Sequence, residues 1–300
     1  MNSEVMNQVW ILFGLILVGY LVGKLKIVDG DAGNVFSRFL VNIALPAMSI
    51  YSAATQQDIT VQTLFSALGA VIGIYILLPV ISLLVAKVFH MVPTCQLLLN
   101  YSNLGLMGLP IIRNIYGNEG VLYVLLFMLV YNLHLFTVGT ITLSGSVSDK
   151  RAMLKKLLTP ASVSSVLAFM IVLLKIQLPT LVIGITESLS DVQIPLGMAV
   201  IGLKMTDVRI LDCLKNRTLY IISFLKLAIY PAITYAFMYL LFGPCMLTNT
   251  ATVLMGLPVG SMVTVACLEY DGDASLAAQG TCATTLFSLV TIPLMIMILF

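Results

Sequence analysis

The chain has 300 residues, of which 60% are hydrophobic and 9% are charged, and its formal net charge at pH 7 is +2. Soluble domains carry about 25% charged residues, so this chain has too few charges to cover a water-exposed surface. The same composition excludes disordered chains and nucleic-acid-binding proteins, and it indicates a protein that crosses a membrane several times.

Ten runs of mostly apolar residues are separated by short polar stretches. A membrane-spanning helix needs about 20 such residues, whereas transmembrane strands are shorter and alternate in polarity. We therefore predict an all-α fold with ten transmembrane helices. No basic residue precedes the first run, which argues against a cleaved signal peptide. The predicted segments are 5–23, 32–52, 62–89, 94–113, 119–145, 159–177, 179–204, 218–243, 247–268 and 274–300.

Lys and Arg residues are concentrated in the loops that follow the first, third, fifth and seventh segments. By the positive-inside rule these loops are cytoplasmic, which places both termini outside. We therefore predict a multi-pass protein of the cell (inner) membrane. The longest polar stretch, 144–156, joins two five-helix halves, 1–148 and 149–300. Its basic residues either set the orientation of the chain or bind anionic lipid.

The two halves share a pattern. The tetrapeptide MGLP occurs at 107–110 and again at 255–258, and other prolines recur with nearly the same shift. Because each half has an odd number of helices, the second half would enter the membrane from the opposite side, and such inverted repeats are common in secondary transporters. The alternative is that the prolines only kink long helices for packing. The paired prolines are Pro46 with Pro195, Pro79 with Pro231, and Pro110 with Pro258.

Glycines accompany the proline in the fourth and ninth segments. Proline lacks an N–H group and glycine weakens a helix, so we predict that both segments break near the middle of the membrane. Broken backbone at that depth is tolerated only inside protein or beside a wet cavity. The positive N-terminal ends of the second half-helices, near Ile111 and Ser261, would then face each other and suit an anion. The predicted crossover residues are Gly108, Pro110, Gly256 and Pro258.

Polar residues lie near these predicted breaks. Asn103 is the best candidate to contact a substrate, because an amide at membrane depth can donate to a carboxylate. Its alternative role is a hydrogen bond between helices. Lys226 is also a candidate for substrate contact, and its alternatives are to pair with another residue or to reach the cytoplasmic surface. Arg38 is predicted to be an anchor. The other candidate substrate-binding residues are Ser102, Asn42, Asn132, Ser261 and Ser288.

The sequence contains no pattern typical of a metal centre, a cofactor site or an enzyme. His90 and His134 are isolated, and the five cysteines are scattered. Glu187 and Asp191 are spaced four apart and therefore share a helix face. They either bind a proton or a sodium ion, or they form a solvated helix entrance.

Several motifs, spread over nearly the whole chain, are similar to those of a known protein family. They include "RFLVNIALPAMSIYS" in the second segment, "NYSNLGLMGLPIIRNIYG" in the fourth, "PLGMAVIGLKM" in the seventh and "LPVGSMVTVACLEYDG" in the ninth. The chain resembles the auxin efflux carrier family, which includes bacterial malonate-type carriers, within the bile-acid and arsenite transporter superfamily. At 254–256, where plant members place a polar residue, this chain has Leu-Met-Gly, which argues against a hormone-like substrate.

The resemblance implies two inverted five-helix repeats, with a scaffold of helices one, two, six and seven. Helices three to five and eight to ten would form a transport domain that moves like an elevator, in a homodimer. Broken helices four and nine would cross at Pro110 and Pro258, with a substrate carboxylate beside Asn103.

These patterns favour a secondary transporter of a small organic anion, such as malonate or another dicarboxylate. Proton coupling, sodium coupling and a potential-driven uniport all remain open, and the partners are the substrate and membrane lipid, not nucleic acid. The alternatives are a sodium-coupled bile-acid-type symporter, an intramembrane enzyme that uses the carboxylates of the seventh segment, and a receptor. We expect no enzyme activity, no metal centre and no cofactor.

Overall fold

The computed structural model describes residues 2–28, 31–55, 60–145, 158–206, 213 and 216–299. The predicted boundary between the two halves, and nearly all of the basic stretch at 144–156, lie outside these residues. The regular structure of the described residues is helical, apart from one isolated β-bridge.

The α-helices follow one another along the chain with few long loops. They are α1 (Asn2–Lys24), α2 (Ala32–Phe39), α3 (Leu45–Thr55), α4 (Val61–Val88), α5 (Pro93–Asn100), α6 (Leu109–His134), α7 (Thr140–Ser144), α8 (Pro160–Leu173), α9 (Thr180–Met205), α10 (Arg217–Phe224), α11 (Tyr230–Phe242), α12 (Met246–Met255), α13 (Met262–Glu269) and α14 (Ala274–Leu299).

Within the described residues, six helices are long and apolar enough to cross a membrane when short π turns are counted as part of them. They are Met6–Lys24, Ala32–Thr55, Val61–Val88, Leu104–Ser144, Arg217–Phe242 and Ala274–Leu299. The chain is therefore an all-helical multi-pass membrane protein.

Each of the ten predicted segments contains helix. Gly117 interrupts α6 with φ 64° and ψ −153°, which separates the fourth predicted segment from the fifth. The fourth and ninth segments are each divided into short helices, and α8 has 14 residues. The number of ten membrane crossings stays a prediction, as does the inverted repeat.

Prolines explain most of the π turns. Of the four π turns in the described residues, three end two residues before a proline, namely Pro46, Pro110 and Pro231. A proline ring clashes with the carbonyl group four residues earlier and has no N–H to donate to it. A wider π turn is a way for a helix to continue past such a residue. The remaining π turn, Leu135–Gly139, precedes no proline.

Glycines bring α1 and α9 into backbone contact. A Cβ added to Gly19 would overlap the carbonyl group of Ala199, and one added to Gly202 would overlap the carbonyl oxygen of Ile16. Small residues allow this close approach, which is the usual way for helices to pack in lipid. Helix α9 also packs against α2 and α3, and α3 packs against α8, so these helices form one contiguous group.

We expect the substitution Gly202→Ala to destabilise the protein by about 1–3 kcal/mol, because α1 and α9 must separate to admit the methyl group. The measurement is the Tm of the purified protein in detergent. Gly184→Ala, in the same helix, is the matched control because nothing lies within 4 Å of its added Cβ. Equal Tm values for the two variants would contradict the packing described above.

Candidate functional site

Two breaks in the helices meet and pair with each other. The first break is 101–103, after α5, and the second is 256–261, between α12 and α13. The backbone N–H of Asn103 donates to the carbonyl of Pro258 at 2.8 Å, and the N–H of Gly260 donates to the carbonyl of Tyr101 at 3.1 Å. Ser102 and Val259 thereby form an antiparallel β-bridge. The two broken helices therefore cross at these residues.

Side chains satisfy other groups at the crossing. The buried N–H of Val259 donates to Thr284 Oγ1 at 3.0 Å. Tyr101 Oη lies 2.8 Å from His134 Nδ1, and its ring packs edge-on against Tyr131. A Cβ on Gly260 would lie 3.0 Å from the carbonyl oxygen of Ser102, so a glycine here lets the two breaks approach each other. The crossing is held by specific partners from several helices.

The first break lies before the predicted position. Residues 107–110 are helical, and the second half-helix begins at Asn103 rather than near Ile111. Asn103 Oδ1 accepts a hydrogen bond from the N–H of Leu106 at 3.3 Å, as in a helix N-cap. Pro110 therefore lies inside this half-helix, where the preceding π turn Leu104–Gly108 accommodates its ring and its missing N–H.

The predicted second break is observed around Pro258, so the same four residues, MGLP, form helix in one half and end a helix in the other. Gly108 and Gly256 both lie at close contacts. A Cβ on Gly108 would lie 2.9 Å from Leu254 Cδ2, and one on Gly256 would lie 2.8 Å from Met295 Sδ. Gly108 therefore admits the second broken helix beside it, although it does not itself break the first.

A cavity of about 410 Å³ lies beside the crossing, and an adjoining cavity of about 310 Å³ shares several of its walls. We call the two together the crossover cavity. Its walls come from α2, α3, α6, α8, α9, α13, α14, both breaks and the adjacent π turns. The polar residues that line the larger part are Asn34, Ser37, Arg38, Asn42, Ser102, Asn103, Tyr131, Asn132, Thr159, Lys204 and Ser261.

The crossover cavity is electropositive. Arg38 and Lys204 line it, and no Asp or Glu is among its described lining residues. The N-terminal ends of the two second half-helices, at Asn103 and Ser261, also line both parts of it. Helix N-termini carry a partial positive charge and unpaired N–H groups. An anion is therefore the ligand that this cavity suits.

The structure brings five of the seven candidate substrate-binding residues to this cavity: Asn42, Ser102, Asn103, Asn132 and Ser261. Ser288 and Lys226 are not in its lining. Ser288 is fully buried, and its hydroxyl donates to the carbonyl of Thr285. Lys226 is also fully buried and bonds to the first break from behind. Whether any of the seven contacts a substrate stays a prediction.

Four asparagines line the cavity, and they differ in what their side-chain amide groups do. Asn34 Nδ2 donates to Asp31 Oδ1 at 2.9 Å. Asn42 Nδ2 donates to the carbonyl of Arg38, and Asn132 Nδ2 donates to Ser162 Oγ, each at 2.9 Å. Asn103 uses its oxygen as the cap, and its Nδ2 donates no hydrogen bond to the described residues. Asn103 is thus the asparagine best placed to donate to a ligand.

Sequence reasoning missed Arg38 and Lys204 as cavity residues. The sequence predicts Arg38 to be an anchor. Lys204, at the end of the seventh segment, contributes there only to the predicted orientation of the chain in the membrane. A signal for Arg38 was present, because it lies four residues before Asn42 and so shares a helix face with it. For Lys204 the sequence holds no such signal.

A second polar cluster lies away from the cavity. Arg113 donates to Asp191 Oδ1 at 3.0 Å and to Ser190 Oγ at 2.8 Å, and its guanidinium lies over the ring of Tyr51. The hydroxyl of Tyr51 donates to Glu187 Oε1 at 2.6 Å. Glu187 and Asp191, for which ion binding and a solvated helix entrance are the alternatives, therefore both have protein partners. No cluster of metal ligands is found among the described residues.

Comparisons with known proteins agree with a membrane role. A family model described as a membrane transport protein matches residues 4–152 and 146–296. A protein of Methanothermobacter thermautotrophicus described as an uncharacterized transporter is 23% identical over 302 residues. That alignment covers 93% of this chain and 93% of the relative.

We expect Thr284→Val to destabilise the crossing by about 1–3 kcal/mol, because it leaves the buried N–H of Val259 without an acceptor. The shape of the side chain is kept, so packing is little changed. The measurement is the Tm in detergent, together with amide hydrogen exchange across 256–261. Thr284→Ser retains the acceptor, so its amide exchange across 256–261 should match that of the parent. If the Val variant exchanges as slowly as the Ser variant, this hydrogen bond does not hold the crossing.

Proposed function

Since the chain belongs to the membrane transport protein family, that of the auxin efflux carriers, we propose that it is a secondary carrier of a small organic anion. The observation that carries this proposal is the electropositive crossover cavity. Broken helices whose N-termini point into a cavity are a recurrent way for transporters to bind anionic groups.

The charges favour a ligand with more than one negative charge. Two cationic side chains, Arg38 and Lys204, and two helix N-termini surround the same space. A single carboxylate would engage only part of this set. We therefore propose a dicarboxylate such as malonate as the substrate class.

We propose that the ten predicted segments all cross the membrane as two inverted repeats, and that transport follows an elevator mechanism. Support comes from the packing: α1, α2, α3, α8 and α9 contact one another. They would form the scaffold, and the crossed helices would move with α4, α6, α7, α10, α11 and α14. The homodimer implied by the resemblance stays a prediction.

The two ends of α9 suggest which side is open. Lys204 lines the cavity near one end of α9, whereas Asp191 pairs with Arg113 on the order of 20 Å away along the helix axis. We propose that the cavity opens at the Lys204 end, which the positive-inside rule assigns to the cytoplasm. The Arg113 cluster would then close the outer end.

An enzyme is less well supported. The carboxylates that it would use, Glu187 and Asp191, are held by Tyr51 and Arg113. They lie outside the described lining of the crossover cavity.

Counterflow of labelled malonate in proteoliposomes tests the carrier directly. We expect saturable exchange that other small dicarboxylates inhibit and neutral analogues do not. Arg38→Gln and Lys204→Gln should each raise the KM about tenfold, because each removes one charged partner of the ligand. Failure of every small acid tested to exchange would rule out the proposed function.

Lys87→Gln is the control for these charge changes. Lys87 lies in the last turn of α4, is exposed and does not line the cavity, so the KM of this variant should equal that of the parent. An unchanged KM in both cavity variants would show that the cavity charges do not bind the substrate.

A separate prediction concerns Asn103. Asn103→Ser keeps an N-cap oxygen but removes the amide group, so we expect an unchanged Tm and a KM raised about tenfold. Asn103→Ala removes both, so it should also lower the Tm. Measuring KM by counterflow and Tm in detergent separates the two effects. If the Ser variant transports with the parent KM, Asn103 is only a cap.

A further inference from the structure

Lys226 is fully buried at the back of the crossing. It belongs to the π turn Leu225–Ile229, and its Nζ donates to the carbonyl of Leu99 at 2.9 Å and to Ser102 Oγ at 2.8 Å. Nζ also lies 5.8 Å from the centre of the Tyr230 ring. No Asp or Glu of the described residues forms a salt bridge with it. A positive charge here is compensated by neutral oxygen atoms and an aromatic face.

These partners are those of a bound cation. Leu99 lies in the last turn of α5, where carbonyl groups lack partners within the helix and carry its negative end. In carriers with discontinuous helices, such half-helix C-terminal ends and unwound carbonyls coordinate the coupling sodium ion or proton. A serine hydroxyl completes the same kind of oxygen set. In this chain the ammonium group already occupies that position.

The position also connects the cation to the anion site. Ser102, which accepts from Lys226, precedes Asn103, and both residues line the crossover cavity. The carbonyl of Ser102 accepts from the N–H of Leu104, the first residue of the second half-helix. An ion that fixes Ser102 therefore fixes the helix N-terminus that faces the anion.

We propose that the ammonium group of Lys226 is a built-in cation, which holds the first break in its anion-binding form and makes a bound sodium ion unnecessary. The inference rests on the proposed carrier function and adds to it the cation that assembles the site. Transport is then independent of sodium. Removing the lysine side chain creates a site for a small external cation.

The test is malonate counterflow by the parent protein and by Lys226→Ser, each in choline, sodium or methylammonium buffer. The parent should exchange equally in all three. In choline buffer the exchange rate of Lys226→Ser should be about tenfold below that of the parent. In methylammonium or sodium buffer this rate should rise with the concentration of the cation. Its Tm in detergent should rise with the same cations and not with choline.

Lys204→Gln is the matched control, because it removes a lysine from the cavity without opening a cation site. Its activity should not recover in any of the three buffers. Recovery of both variants would show a general salt effect and overturn the inference.

Two further outcomes would overturn it. One is a parent protein that requires sodium for exchange, which is decisive even if Lys226→Ser cannot be purified in folded form. The other is a folded Lys226→Ser whose activity and Tm respond to no cation. Failure of the parent to exchange any small acid in any buffer would instead contradict the proposed function itself.

Discussion

Backbone polar groups that leave a helix inside a membrane must find partners within the protein, because lipid offers none. At the crossing, each break supplies the partners that the other lacks. Asn103 donates to Pro258, and Gly260 donates to Tyr101. Each break therefore depends on the other, which lies far away in the sequence, for these hydrogen bonds. This mutual dependence fixes the position of the cavity.

The first break also separates charge. On one side α5 ends, and its Leu99 carbonyl accepts from Lys226; on the other side a new helix begins at Asn103 and faces the cavity. The two sides of a helix break carry opposite partial charges, so one break can hold a cation behind it and attract an anion in front. In the proposed carrier the backbone would set the sign of the ligand, and Arg38 and Lys204, which line the same cavity, would add to it.

Much of the fold could be predicted, because long apolar runs leave helix as the main option in lipid. The second break was predicted at Pro258 for the same local reasons that operate in the structure. The first break was misplaced at Pro110, since a π turn lets the helix continue past this proline and the pairing with 258–260 is not visible locally. Asn103, a preferred N-cap residue, was the signal that could have placed it. The partners of Lys226 lie too far away in sequence for any local pattern to indicate them.

Two polar contacts join α9 to the first broken helix, and the proposed transport motion would have to change them. Arg113 donates to Asp191, and the side chain of Gln193 donates to the carbonyl of Gly105. Helix α9 therefore contacts the first broken helix at two separate points. Asp191 is 65% exposed, and an ion pair with such a partner contributes little net stability. If apolar side chains made these contacts, their packing would be lost when the two groups of helices separate. Polar groups can instead exchange their protein partners for water. In the proposed elevator mechanism, such weak polar contacts would suit the surface along which one group of helices slides past the other, while the crossing itself would stay intact.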